Sequence, residues 1–418
     1  MKVFKFGGAS VKDADGVRNL ASIIKETEEQ DLVVVVSAMG KMTNALEEVV
    51  TSYFSNPSEI NACVAVVNDY HQSVLSDLYN NPNHPVSTAV NQLINELKGF
   101  LKTTKSKNHA FVYDQVVSFG EFLSTTIISG YLQEMKLAPI FLDVRTCIRT
   151  NTNYRDAVVN WDLTQRSIKN LVKPNRITIT QGFLGSESTN NFTTTLGREG
   201  SDYTAAIFAY CLNAENVTIW KDVPGLLNAD PRYFSDTKLL NHVSYKEAIE
   251  LAFYGASVIH PKTLQPLQRK EIPLFVKSFL KPFEPGTCVG KGVHLDPMTS
   301  CYILKKNQVL ISLSSLDFSF IMEKHIGDVF KWLDHYKMKV DLIQNSAISF
   351  SVCVENKYDT LELLLVKLRE LFKVKWNEDV TLITARHSKP SEIKALTAGK
   401  EVLLKQESRE TVQIIVRG

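Results

Sequence analysis

Two stretches decide the fold: Met1-Lys2-Val3-Phe4-Lys5-Phe6-Gly7-Gly8-Ala9-Ser10 and, one helical segment later, Leu32-Val33-Val34-Val35-Val36-Ser37-Ala38-Met39-Gly40. Each is a short, largely apolar run that stops at glycine and small residues, one of them a serine. A strand covered on both faces reads as such a run, and parallel sheets are covered on both faces. Working outward, residues 139–143, 177–181, 217–221 and 273–277 repeat the pattern, with longer helical stretches between. This alternation predicts an α/β domain with an open, mostly parallel sheet sandwiched by helices. From Asn44 to about Met135 the pattern is mainly helical, broken by the loop signal Asn80-Asn81-Pro82-Asn83-His84-Pro85, and predicts a helical subregion over the sheet edge.

The chain has 418 residues, and at about 150 residues per domain it divides into two or three. With 47 Lys+Arg against 45 Asp+Glu, the net charge of +2 excludes a polyelectrolyte built to neutralise phosphate backbones, so nucleic acid is not an expected partner. Apolar runs such as 32–36 fall far short of the roughly 20 residues that span a bilayer, so no membrane is expected either. The N-terminus lacks the apolar core and cleavage site of a secretory signal, which makes the cytoplasm the expected location. Cys63, Cys147, Cys211, Cys288, Cys301 and Cys353 are scattered, without metal-ligand or disulfide spacing, and read as reduced thiols.

Lys281-Pro282-Phe283-Glu284-Pro285-Gly286-Thr287, continuing to Gly290-Lys291-Gly292, reads as a domain boundary. Beyond it the pattern changes to strand, helix, strand, strand, twice, the second copy shorter. Ile348, Phe350, Val352 and Val354 fall on one face of a period-two strand, with Ser349, Ser351 and Cys353 on the other. Units of about 60 residues barely bury a core alone, so pairing between copies or subunits is expected.

Chemistry-bearing residues gather where strands end. In Lys5-Phe6-Gly7-Gly8-Ala9-Ser10, backbone N–H groups without side chains can approach phosphate oxygens and Lys5 adds a cation; a purely structural turn is the alternative. The stretch matches neither a P-loop nor a dinucleotide fingerprint. Ser37 and Thr43 either offer hydroxyls to a ligand beyond a strand end or cap the following helix. Glu121, in Ser118-Phe119-Gly120-Glu121, either holds a ligand ammonium or complements a helix dipole. Thr195-Leu196-Gly197-Arg198-Glu199-Gly200-Ser201-Asp202 carries a guanidinium suited to carboxylates and places Ser201 and Asp202 at a helix start. Trp220-Lys221-Asp222-Val223-Pro224-Gly225, running on to Asp230-Pro231-Arg232, holds more charge than a solvated turn needs.

In their order and spacing these motifs, with Tyr254-Gly255-Ala256-Ser257-Val258-Ile259-His260-Pro261, resemble the aspartate kinases of the amino-acid kinase family, and the trailing repeat is similar to their paired ACT domains. The resemblance implies a catalytic domain over residues 1–285 and ACT-like units over 300–377 and 378–418, the second interleaved with the first. It implies transfer of phosphate from ATP, with Mg2+, to the side-chain carboxylate of L-aspartate, the first step of the aspartate-derived amino-acid pathway. Lys5 and Asp202 would be catalytic. Lys5, Gly7, Gly8, Ser10, Lys221, Asp222 and Arg232 would meet phosphate or nucleotide, and Ser37, Thr43, Glu121, Arg198 and Ser201 the substrate. Asp341, Gln344, Asn345 and Ser346 would hold a regulatory amino acid, lysine or threonine, in a homodimer or higher homo-oligomer joined through the ACT units. No resident metal site is expected in the protein itself. With no dinucleotide fingerprint present, the chain is expected to be monofunctional.

Several positions depart from the family pattern: Ala9 for Thr, Glu199 for Gly, Lys221 for Thr, Leu227 for a larger residue, Ser257 for Lys, and Ala347 where lysine-inhibited relatives often carry Glu. Glu199 is expected to turn outward to solvent, as charges do. The alternatives are a catalytically weak amino-acid sensor of the same fold, or a kinase for another small carboxylate substrate.

Overall fold

The computed structural model describes residues 1–79, 81, 84–256, 258–292, 294–317, 320 and 322–418. Position 257 and residues 80, 82 and 83 of the 80–85 loop signal lie outside them. The chain forms two compact units, one of residues 1–226, 239–249 and 258–297, the other of 227–238, 250–257 and 298–418.

Among the described residues the first unit holds β1 (Lys2–Phe6), β2 (Leu32–Val36), β3 (Ile140–Leu142), β4 (Arg149–Thr150), β5 (Ile177–Gln181), β6 (Leu184–Glu187), β7 (Thr193–Thr195), β8 (Asn216–Lys221), β9 (His242–Ser244), β10 (Leu274–Ser278), β11 (Thr287–Gly290) and β12 (Leu295–Asp296). Nine of them make one sheet in the order β12-β9-β11-β10-β8-β1-β2-β5-β3, and β4, β6 and β7 a small second sheet. From β10 to β3 every pairing is parallel, with Lys5 level with Val35 and Ile219. All five residues of β2 are buried, which is why that strand is an unbroken apolar run. The helix Ala14–Thr27 packs with Val17, Leu20, Ala21 and Ile24 on its buried face, capped by Asp13, whose carboxylate accepts from Gly16 N at 2.8 Å. The helix Gly200–Leu212 is buried almost all round and contacts β1, β2 and β8. Its first turn therefore opens at the carboxyl ends of those strands.

The Pro/Gly-rich stretch 281–292 lies inside this unit as a turn followed by β11, and the chain passes to the second unit between Pro297 and Met298. It returns β10 antiparallel into β11, with Gly286 at φ +69°, where a Cβ would lie 2.2 Å from the Val276 carbonyl oxygen. The signal was a tight turn, which sequence alone does not distinguish from a linker.

In the second unit β13 (Cys301–Ser314), β14 (Lys339–Asn345), β15 (Ser349–Glu355), β16 (Lys373–Arg386), β17 (Glu401–Glu407) and β18 (Thr411–Arg417) form an antiparallel sheet ordered β14-β15-β13-β16-β18-β17. Helices Glu323–His335, Leu361–Leu368 and Pro390–Thr397 complete it. The strand-helix-strand-strand order occurs twice. The division expected between 377 and 378 falls inside β16, which runs unbroken because it pairs with β13 along nearly its whole length. Phe350, Val352 and Val354 do share a buried face with Ile311, Leu333 and Leu365, whereas Ile348 lies outside the strand and is exposed. Cys353 is buried on the other face, against Leu310 and Ile415. Among the described residues no helix is long and apolar enough to cross a membrane.

Candidate active site

A cleft of about 370 Å³ opens beyond the carboxyl ends of β1, β2 and β5, where ligands of open parallel sheets bind. Lys5, Ser37, Thr43, Glu121, Arg198, Ser201 and Asp202 all line it. Backbone bonds stitch the strand-end loops together: Ser37 N donates to Phe6 O at 3.1 Å and Gly40 N to Gly8 O at 3.0 Å. A Cβ on Gly8 would sit 2.8 Å from both the Ala38 and Gly40 carbonyl oxygens, so only glycine fits this close approach.

Asp202, on the first turn of the helix Gly200–Leu212, is fully buried and lies between two ammonium groups: Lys5 Nζ is 2.6 Å from Oδ1 and Lys221 Nζ 3.5 Å from Oδ2. Burial alone would raise its pKa, but the charges of Lys5 and Lys221 outweigh it and hold the group below the usual aspartate range. Glu199 is half-buried and lines the cleft, contrary to the outward orientation expected for it. It sits at φ +53° just before the helix; burial and the neighbouring Asp202 charge raise its pKa. Glu121 is 2% exposed. One oxygen accepts from Ala38 N at 3.2 Å and the other has no hydrogen-bond partner among the described residues. Burial, only partly opposed by the Ala38 N–H and by Lys5, pushes its pKa up to about 8.

The other residues singled out from the sequence do not line the cleft. Ser10 donates from Oγ to Trp220 O at 3.1 Å and ties the end of β1 to that of β8. Gly7 stands beside Lys5 Nζ, and a Cβ there would be 3.3 Å from it. Asp222 is exposed in the turn after β8. Arg232 belongs to the second unit, where it forms an ion pair with Asp230 at 2.6 Å. Also in that unit, Asp341 is buried against Lys305 at 2.7 Å, while Gln344, Asn345 and Ser346 are exposed.

Sequence reading missed Tyr113, Asp114, Arg155 and Phe183. Tyr113, Arg155 and Phe183 line the cleft. Asp114 is fully buried behind it and accepts from Arg155 N, from Thr195 N at 2.9 Å and from Thr195 Oγ1 at 2.8 Å. Burial raises its pKa to about 6 against those bonds. A single acid in Val112-Tyr113-Asp114-Gln115-Val116-Val117, between valines, was the available signal.

A parallel α/β sheet whose strand ends gather a glycine cradle, two lysines on one buried aspartate, and free guanidinium groups defines an enzyme class: kinases that phosphorylate small anionic acceptors. Residues 1–278 match the amino acid kinase family, and the chain belongs to that family, within it to the aspartokinases. It is 33% identical over 410 residues to lysine-sensitive aspartokinase 3 of Escherichia coli (strain K12), covering 96% of this chain and 89% of that one. The crystal structure of E. coli aspartokinase III with lysine and aspartate (T-state) matches all of this chain and 96% of its own, at a TM-score of 0.85 and 30% identity. The structure of the same enzyme with aspartate and ADP (R-state) covers the same shares at 0.83 and 29%.

Proposed function

We propose that this chain transfers the γ-phosphoryl group of ATP to the side-chain carboxylate of L-aspartate, giving 4-phospho-L-aspartate and ADP, as the first step of the aspartate-derived amino-acid pathway. The observation that carries this reading is the cleft's charge pattern. The Arg198 guanidinium lines the cleft, where it could meet an acceptor carboxylate, buried Glu121 has one oxygen without a hydrogen-bond partner among the described residues, which could meet an ammonium, and Lys5 stands where the transferring phosphoryl would be neutralised. The acceptor carboxylate is already ionised, so no general base is required. One oxygen attacks phosphorus as the bond to the ADP oxygen breaks, and positioning and charge stabilisation carry the rate.

In this reading Arg198 binds the α-carboxylate and Glu121 the ammonium, with Ser37, Thr43 and Ser201 around them. Asp202 holds Lys5 and Lys221 towards the phosphates above the Gly7-Gly8 cradle, and Asp222 serves the nucleotide. Magnesium fits this donor set: Asp202 is a carboxylate held below the usual aspartate range by Lys5 and Lys221, and the Glu199 carboxyl stands beside it. Those two carboxylates would meet an ion carried in on the phosphates, which draws negative charge off them when bound. The second unit would bind a regulatory amino acid, lysine or threonine, near Asp341, Gln344, Asn345 and Ser346, and would join subunits of a cytoplasmic homo-oligomer.

The test is ATP consumption by the purified protein with aspartate, glutamate, N-acetylglutamate, carbamate or UMP, with lysine and threonine added in turn. Turnover with aspartate alone is expected; turnover with another acceptor in its place would overturn the reading.

A further inference from the structure

The cleft presents more guanidinium than the sequence motifs account for. Arg155 lines it together with Arg198, and among the described residues no carboxylate lies within ion-pair distance of either guanidinium. Arg155 is held on three sides. Its backbone N donates to both oxygens of Asp114, at 3.1 Å each. Its Cζ lies 4.2 Å from the centroid of the Tyr113 ring, and Tyr113 is itself fixed by donating from Oη to Glu47 Oε1 at 2.7 Å. Two residues on, Ala157 N donates to Thr195 O at 2.9 Å. Stacking occupies only the face of a guanidinium and leaves the N–H groups on its edges free to donate.

Two further features point the same way. Arg155 adopts φ +71°, a left-handed conformation that costs a non-glycine residue roughly 1 kcal/mol, and such outliers gather at ligand clamps. Asp114 binds both the Arg155 backbone and Thr195, which leads directly into Leu196-Gly197-Arg198, so one buried carboxylate sets the loops of both arginines in a common frame.

We infer that Arg155 is a second substrate-binding guanidinium, sharing the α-carboxylate of the acceptor with Arg198, so that acceptor specificity is set by an arginine pair. The inference rests on aspartate being the acceptor. The acceptor's reacting carboxylate must be left to the phosphoryl group and Lys5, so both guanidinium groups serve the other one. A carboxylate, with about four lone-pair sites on two oxygens, accommodates both.

The test compares wild type, Arg155→Ala and Arg155→Lys in steady-state kinetics, with 3-aminopropanoate, which is aspartate without its α-carboxylate, as an inhibitor competing with aspartate. Arg155→Ala should raise the aspartate KM about tenfold, as loss of one partly solvated charge-assisted contact does. The kcat and the ATP KM should stay within about twofold on that same basis of contact loss alone, Arg155→Lys should recover part of the effect, and inhibition by 3-aminopropanoate should not change. An unchanged aspartate KM in Arg155→Ala would overturn the inference. So would a parallel loss of kcat, ATP affinity and melting temperature, which a structural role produces, or equal weakening of 3-aminopropanoate. Absence of aspartate turnover in the wild type would remove the acceptor reading and this inference with it, whereas turnover with an unaltered KM in the variant removes the inference alone.

Discussion

Replacing Glu121 with glutamine should abolish a pH dependence that this buried carboxylate imposes on acceptor binding. Glu121 is 2% exposed, keeps one oxygen bare towards the cleft, and titrates at about 8 because burial outweighs the Ala38 N–H and the Lys5 charge. An acceptor ammonium needs the ionised form. One pH unit below the pKa only about a tenth of the protein carries it and one unit above about nine-tenths, so kcat/KM for aspartate should rise roughly tenfold from pH 7 to pH 9. The same shift affects stability with a definite sign. The folded pKa lies above the unfolded value of about 4.3, so the folded state keeps a proton that the unfolded chain releases. That stability is fully present below about pH 4 and is lost as pH rises through about 8, at about 1.4 kcal/mol per unit. From pH 5 to pH 8 the wild type should therefore lose up to about 4 kcal/mol relative to Glu121→Gln. The assays are kcat/KM for aspartate at saturating ATP across pH 7 to 9 and melting curves of both proteins at pH 5 and 8. A tenfold rise that survives in Glu121→Gln, or a stability difference independent of pH, would refute the reasoning.

Arg198→Ala should raise the aspartate KM far more than the ATP KM, since its guanidinium faces the acceptor; equal effects on both would remove that role. Lys5→Ala should lower kcat by about a hundredfold or more, the scale of removing one oxyanion-type donor, and near-normal turnover would discard the phosphoryl-neutralising role. Gly8→Ala forces a Cβ to within 2.8 Å of two carbonyl oxygens and should cost about 1 to 3 kcal/mol in chemical denaturation. In the second unit, Lys305→Met leaves the buried Asp341 carboxylate, among the described residues, with the more distant Lys339 at 3.6 Å as its ion-pair partner. Stability should fall by about 2 to 4 kcal/mol, and Lys305→Met/Asp341→Leu should recover most of it in the same melting assay.

Strands β1, β2, β5, β8 and β10 were legible in the sequence because a parallel sheet covered on both faces selects short runs rich in β-branched and apolar residues, and the ends of those runs carry their own punctuation. That local rule was enough to place Lys5, Ser37, Thr43, Arg198, Ser201 and Asp202 at strand or helix ends that converge on one cleft. Contacts between distant residues were not legible. Asp114 meets Arg155 and Thr195 across 41 and 81 positions, and nothing in Thr152-Asn153-Tyr154-Arg155 marks a clamp until Tyr113 is stacked beneath it. The place of Glu199 beside Asp202 depends on a tertiary contact that composition does not encode, and the Pro/Gly stretch became a turn only once β10 and β11 paired. Nor does the sequence assign Ser10 to Trp220, or Lys305 to Asp341. Residue type and spacing, acting through local hydrophobic burial and backbone geometry, determined the sheet and the chemical inventory at its edge. Only the tertiary structure decided which charges face one another and how far each is removed from water, because burial and Coulomb energies depend on distances in space that the order of residues does not contain.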